Sequence, residues 1–480
     1  MPSVLQIYAP QKLWRTQIVD RIAAVSNYWT VTNYGVVGDG VTDDTAAWQA
    51  IFDAVPNGTI IIVPDPTFVM VLTATITMTD KRDVWVTSQL DARNFAPAPT
   101  FRWEGSNNGV MLDMERCQSC HVVGFNWNTV NGTTVDTAVN IDGYSGGNIS
   151  TKNTIQYNAF DFSNQLNSSA KIINISDTVS NNNENMQILD NEIIVSNTGY
   201  PTPSSSAGYG IVNGYTSHSA NAKHHVIHRN GISNATIGIY SLNGSVDVDH
   251  LGGGANKVDI QIDNSTEPTT IRHLETENST QGVDFAPQSN VLILEACRFS
   301  NSGQTNTGGF VKVDGIVLMI GNNFEVVPPV GGTCIECVQS GNLRLSLYEN
   351  NFQTPVTYAQ SGLSAYATFL RGTTSTGNLV AFNNAGITGA PSRYNFALSG
   401  FDPITGDPTG FFFGNPIAMQ GYTFNTLTAT GSFFPASPAM AIITNSSTTT
   451  WGAAIADAGG GGSKVLATCL DGATWRVAGV

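Results

Sequence analysis

Short apolar runs recur through the middle of this chain, each alternating with polar residues and closing on the same kind of corner. Residues 155–158 (IQYN), 188–191 (ILDN), 227–230 (IHRN), 248–251 (VDHL), 271–274 (IRHL), 294–297 (LEAC), 319–322 (MIGN) and 347–350 (LYEN) fall into register. Several carry a further apolar residue two places on, at Phe160, Ile193, Ile232, Phe299, Phe324 and Phe352. Alternation over so few residues predicts short strands. Successive register positions are separated by 33, 39, 21, 23, 23, 25 and 28 residues, which are coil lengths of a solenoid whose coils bury their apolar faces against their neighbours. The recurring Asn suits the turn, because its amide can pair with the equivalent residue one coil above and below and it tolerates left-handed backbone.

Both ends depart from this pattern. Near the amino terminus Gly38, Asp39 and Gly40 predict a tight turn, and Thr42 or Asp43 a helix cap. Ala46, Ala47, Ala50 and Ile51 predict the helix's apolar stripe, and a buried strand over 60–63 stops at Pro64. A helix placed there covers the open end of a solenoid. With Tyr34 and Gly35 before it and Gly58 behind, the run resembles the amino-terminal signature of the pectate-lyase-like superfamily, which includes polygalacturonase-like enzymes and many phage tailspikes. The resemblance implies an all-β fold, a right-handed parallel β-helix with an amino-terminal helical cap. It leaves the reaction open, since proteins that begin this way include hydrolases, lyases, epimerases and binders. Polygalacturonases carry Asn-x-Asp, Asp-Asp and Gly-His-Gly; here only Asn140 and Asp142 match, and no pectate-lyase calcium cluster is recognisable.

After about residue 380 the chain becomes turn-rich and then reads as short antiparallel strands. Cys469, Asp471, Gly472 and Trp475 resemble the closing hairpin of phage tail fibres and tailspikes, which implies a homotrimer. Three parts are expected. Residues 1–30 form a helical extension, with Leu13, Trp14, Ile18, Ile22 and Ala23 at helical spacing, suited to joining a phage tail or baseplate. Residues 31–385 form the capped β-helix, and 386–480 a small antiparallel β region for trimerisation or glycan binding.

Composition narrows the partners. The chain is 41% hydrophobic, which disfavours disorder, and its net charge of −15 with 21 Lys and Arg disfavours nucleic acid. No run approaches the roughly 18 apolar residues of a membrane helix, so membrane insertion is not expected. Residues 1–10 carry no charged region and no long apolar core, so no secretory signal is expected. A virion tail protein, reaching the extracellular space by lysis, fits these features. Cys117 and Cys120, like Cys334 and Cys337, lie in strand-like runs without knuckle glycines. Both pairs read as buried free thiols rather than a split zinc site, and no metal or other cofactor is expected.

Six of the seven histidines, His218, His224, His225, His228, His250 and His273, fall within 218–273. Stacking the coils aligns Tyr157, Asp190, Arg229, His250 and His273 in one polar strip, which His228, Asp249 and Arg272 join where the strand bends; Glu275 follows closely. A zinc site of His224, His225 and His228 is disfavoured because adjacent strand residues point to opposite faces. Asp247 and Asp249 share a face and, with His250 beside them, form a carboxylate pair for glycosidic hydrolysis. Asp190, Arg229, His273 and Glu275 complete the catalytic candidates. Alternatively Arg229 neutralises a uronate, His250 or His273 abstracts a proton and Tyr157 donates one, giving β-elimination. In a third reading the strip is a solvated face whose charges pair along the stack. Tyr157, His228 and Arg272 are candidates for substrate binding, together with Tyr200 and Tyr209 of a Pro- and Ser-rich insertion over 197–210. These features predict a tailspike-like depolymerase of a bacterial surface polysaccharide, with a non-catalytic glycan-binding fibre and a pectate-lyase-type enzyme as alternatives.

Overall fold

The structure is a computed structural model that describes residues 28–88, 92, 97–130, 132–143, 150–163, 169–177, 184–196, 208–214, 222–242, 244–263, 268–285, 291–300, 309–313, 315–325, 333–337 and 343–357, with short stretches beyond 357. The helix expected within 1–30 lies outside them up to residue 27, as do Tyr200 and residues 197–207 of the insertion. The chain forms two compact units, Met1–Asp284 and Phe285–Val480.

Each coil of the first unit passes through three strands. Its first faces stack in parallel from Ile60–Val63 through Trp85–Ser88, His121–Val123, Thr154–Gln156, Gln187–Leu189, Ala222–His228 and Gly244–Asp249 to Thr269–Arg272. Ile155, Ile188, Ile227, Val248 and Ile271 lie directly over one another and are fully buried, which is the register expected from the repeat. The second faces stack as Ala159–Asp161, Glu192–Ile194, Gly231–Ser233, Gly252–Gly254 and Glu275–Glu277. Lys171–Asp177, Tyr209–Asn213, Ile237–Ser241 and Val258–Ile262 form the third.

Between first and second faces six successive coils each turn on one left-handed residue: Gly124, Tyr157, Asp190, Arg229, His250 and His273, at φ from 49° to 85°. The residue after it is buried in every coil, as Phe125, Asn158, Asn191, Asn230, Leu251 and Leu274. The amide ladder is present. Asn230 Oδ1 accepts the backbone N–H and Nδ2 of Asn191 at 2.9 and 3.0 Å, and Asn191 Oδ1 accepts those of Asn158 at 3.0 and 3.2 Å. The left-handed residue, however, precedes the Asn. The amide must point inward to reach the next coil, and the strained φ falls on the residue before it.

At the start of the unit Gly38 and Gly40 are left-handed, at φ 64° and 76°, and form the expected turn. The helix Thr45–Ala54 has Asp44, not Thr42 or Asp43, at its cap position. The Asp44 carboxylate accepts the N–H groups of Val37 and Gly38 at 2.7 and 3.0 Å, tying the turn to the helix. The buried stripe consists of Trp48, Ile51 and Phe52, while Ala46 and Ala50 are exposed. The larger side chains win because they remove more apolar area from water. Trp48 lies 5.1 Å from Phe101 between ring centroids, and the stack continues through Trp127 at 4.6 Å and Phe160 at a further 5.7 Å.

One interior position breaks the pattern. The second-face column of Phe160, Ile193 and Ile232 continues at Gly253, where an added Cβ would stand 2.4 Å from Asp259 Oδ1. The fully buried Asp259 carboxyl occupies that space, with Ser279 Oγ and Asn256 Nδ2 donating to Oδ1 at 2.7 and 2.8 Å.

In the second unit Val291–Glu295, Ile316–Ile320, Leu343–Tyr348 and Gly377–Phe382 stack in parallel, and Tyr394–Ser399 then pairs antiparallel. Asn350 and Asn322 repeat the ladder at 3.0 and 2.8 Å. A four-stranded sheet contains Ser463–Cys469 antiparallel to Trp475–Gly479, with Cys469 opposite Trp475, as expected of the closing hairpin. Cys117, Cys120 and Cys297 are buried free thiols. Among the described residues no helix is long and apolar enough to cross a membrane.

Candidate functional site

The first corner of the first unit gathers most of the candidate residues, because three consecutive coils present their strand ends and left-handed residues together. His228, Asp249 and Arg272 are in register, as are Asp247 and Thr270. Val246 and Val248 point inward, leaving Asp247 and Asp249 on the outer face. Arg272 donates to both oxygens of Asp247 at 2.9 and 3.1 Å, and His228 Nε2 stands 3.4 Å from the same carboxylate. Just past these strand ends, the left-handed backbone at His250 and His273 brings both rings to Asp249. Their Nδ1 atoms lie 2.8 and 2.7 Å from Asp249 Oδ1, with the rings stacked at 4.3 Å. Burial raises the Asp249 carboxyl, but the hydrogen bond with His273 and the charges of His250, His273 and His228 outweigh it and hold the group below its usual range. On the preceding coils Arg229 closes on Asp190 with two bonds of 2.8 Å, and Gln156 donates to Asp190 at 3.1 Å. Tyr157, largely buried, occupies the same corner column.

No protein-family model matches the chain, and no curated protein matches it. Among solved structures, the gp42 tailspike of Acinetobacter phage vb_AbaP_AS12 superposes with a TM-score of 0.57 at 10% identity, over 94% of this chain and 76% of that one. The fold is a right-handed parallel β-helix. Two further solved structures are less alike. A GH87 alpha-1,3-glucanase from Streptomyces thermodiastaticus gives a TM-score of 0.42 at 12% identity, covering 76% of this chain and 70% of that one. The pre-mature gene product 12 of bacteriophage phi29 gives 0.41 at 10%, covering 77% and 58%. At such identities the likeness speaks for the fold and not for a reaction.

The remaining candidates stand elsewhere on the β-helix. Glu275 opens a second-face strand, exposed and in register with Gly252. Tyr209 is on the third face, stacked on Tyr240 at 5.5 Å, and the Tyr240 hydroxyl bonds Asp263. Burial, together with that bond, raises the Tyr240 hydroxyl above the usual phenol range. His225 is buried and accepts the Met186 N–H on Nδ1, so it does not share a surface with His228.

Sequence reasoning passed over a group of carboxylates on the third face. Asp113 and Glu115 lie in register with Asn140 and Asp142 of the next coil. Burial pushes the Asp113 carboxyl up to about 6; the Asn140 hydrogen bond at 2.9 Å opposes this, while nearby Glu115 and Asp142 add to it. The Asn-x-Asp at 140–142 was the available signal, and its partners came from the strand one coil earlier.

Proposed function

We propose that this chain binds a bacterial surface polysaccharide along the first corner of its β-helix and cleaves it by glycosidic hydrolysis, as a tailspike-like virion protein. The observation that carries this reading is the convergence of Asp247 and Asp249 with three histidines and two arginines on adjoining coils. Hydrolysis needs one group to protonate the leaving oxygen and another to activate water or stabilise the oxocarbenium ion. Asp249 orients His250 and His273 for the proton, and Asp247 supplies the second carboxylate. Elimination is less well supported, because Arg229 and Arg272 are each closed on a carboxylate, Asp190 and Asp247, and so are not poised to neutralise a uronate.

Incubation with a panel of neutral and uronate-containing bacterial surface polysaccharides, followed by mass spectrometry of the products, tests the reading. Oligosaccharides that have gained water are expected; unsaturated ends would replace hydrolysis by elimination. No product from a polysaccharide that the protein binds would leave a binding fibre. Asp247→Ala and Asp249→Ala should each lower turnover by roughly a hundredfold to ten-thousandfold while glycan binding persists. If both variants cleave normally and Asp113→Asn does not, the chemistry belongs to the third face, where the raised Asp113 carboxyl suits a general acid.

A further inference from the structure

We infer that Asp249, His250 and His273 form a binding site for a divalent transition metal of the zinc or cobalt kind. One carboxylate oxygen and two imidazole nitrogens, supplied by two consecutive coils, converge so that all three ligand atoms lie within 4.8 Å of one another. The nitrogens stand 2.7 and 2.8 Å from Asp249 Oδ1. Neighbouring ligands on a metal at roughly 2.0–2.1 Å are about 2.9 Å apart in octahedral and about 3.4 Å in tetrahedral geometry. The two nitrogen–oxygen edges therefore need to open by about 0.1–0.2 Å for octahedral or about 0.6–0.7 Å for tetrahedral geometry, with the two nitrogens within 4.8 Å of one another.

Donor type, charge and rigidity agree with this assignment. Two imidazoles and one carboxylate favour borderline metals over calcium or magnesium, which prefer all-oxygen sites. The corner carries three aspartates, Asp190, Asp247 and Asp249, against Arg229 and Arg272, so a cation is electrostatically favoured. Both rings rise from left-handed corners, at φ 53° and 49°, and His250 N donates to Arg272 O at 3.1 Å. With side-chain exposures of 58% and 47%, His250 and His273 leave the outer side of the site open to water or ligand.

The inference stands apart from the glycan reading, because it concerns binding and not turnover. Where both hold, an ion would occupy the two imidazoles and suppress proton transfer. The test is titration of the full chain, free of any histidine tag, with cobalt(II) followed by visible absorption and with zinc(II) followed by calorimetry. One equivalent per chain is expected, with the d–d bands of a nitrogen–oxygen site. His250→Gly and His273→Gly retain a corner that glycine adopts without strain, and Asp249→Asn retains the shape of the carboxylate. Each should weaken binding roughly tenfold or more. Absence of binding at millimolar metal overturns the inference, and so does binding that all three variants leave unchanged, since the ligands then lie elsewhere.

Discussion

Asp259 places an ionisable carboxyl where water does not reach. Ser279 and Asn256 both hydrogen-bond Oδ1, and Oδ2 has no hydrogen-bond partner among the described residues. Burial raises the group from 3.8 to about 7, opposed by those two bonds. Between these values the folded chain holds a proton that the unfolded chain has released, so the contribution to stability is fullest in acid and is lost as pH rises through about 7. Asp259→Asn keeps the shape without the charge. It should raise the melting temperature by several degrees at about pH 8, at roughly 2–4 °C per kcal/mol, and change it little only below the free value of 3.8, at about pH 3.5. Equal shifts at both pH values would remove the buried-charge account. None of this was legible in the run VDIQI, where room for the carboxyl is made by Gly253 of the same coil, six residues earlier. The corner was half legible. Strict alternation puts Asp249 and His250 on opposite sides, and only the left-handed φ at His250 brings them together.

Strands and their register were legible because the same four-residue pattern recurs and each coil must match its neighbour. The ladder followed from the recurring Asn, and it carries a measurable share of stability. Asn191 joins Asn158, Asn230 and the carbonyl of Ile155. Asn191→Ala should cost about 2–3 kcal/mol, since it strands a buried N–H and a buried carbonyl as well as removing the bonds themselves. Guanidinium unfolding of the full chain measures it; a loss below about 0.5 kcal/mol would mean that the ladder is ornamental to folding. The helix was read less well. Four small or aliphatic residues at helical spacing pointed to one stripe, while Trp48 and Phe52 take the buried side because the stack from Phe101 to Phe160 offers them aromatic partners.

For the whole molecule, the closing hairpin of Cys469 and Trp475 supports the proposal of a homotrimer. Light scattering should give the mass of three 51.0 kDa chains at concentrations where each remains folded. A monomeric mass would withdraw the trimer and with it much of the tailspike comparison. Which face of the solenoid carries chemistry was the least legible property, because it depends on carboxylates such as Asp113 and Asp142 meeting across coils, 29 positions apart in the chain.

The first corner has a consequence for how such a chain changes over time. Tyr157, Asp190, Arg229, His250 and His273 in the first unit, and Ala296, Gly321 and Glu349 in the second, all occupy the same left-handed position. The bend is enforced from behind by the buried residue that follows, so where the corner residue is exposed, at Arg229, His250, His273, Ala296, Gly321 and Glu349, folding constrains it little. Mutation can rewrite the exposed part of that column one coil at a time without loosening the scaffold. A surface built this way can follow a varying target by single substitutions, and its evolvability comes from keeping the residues that hold separate from the residues that touch.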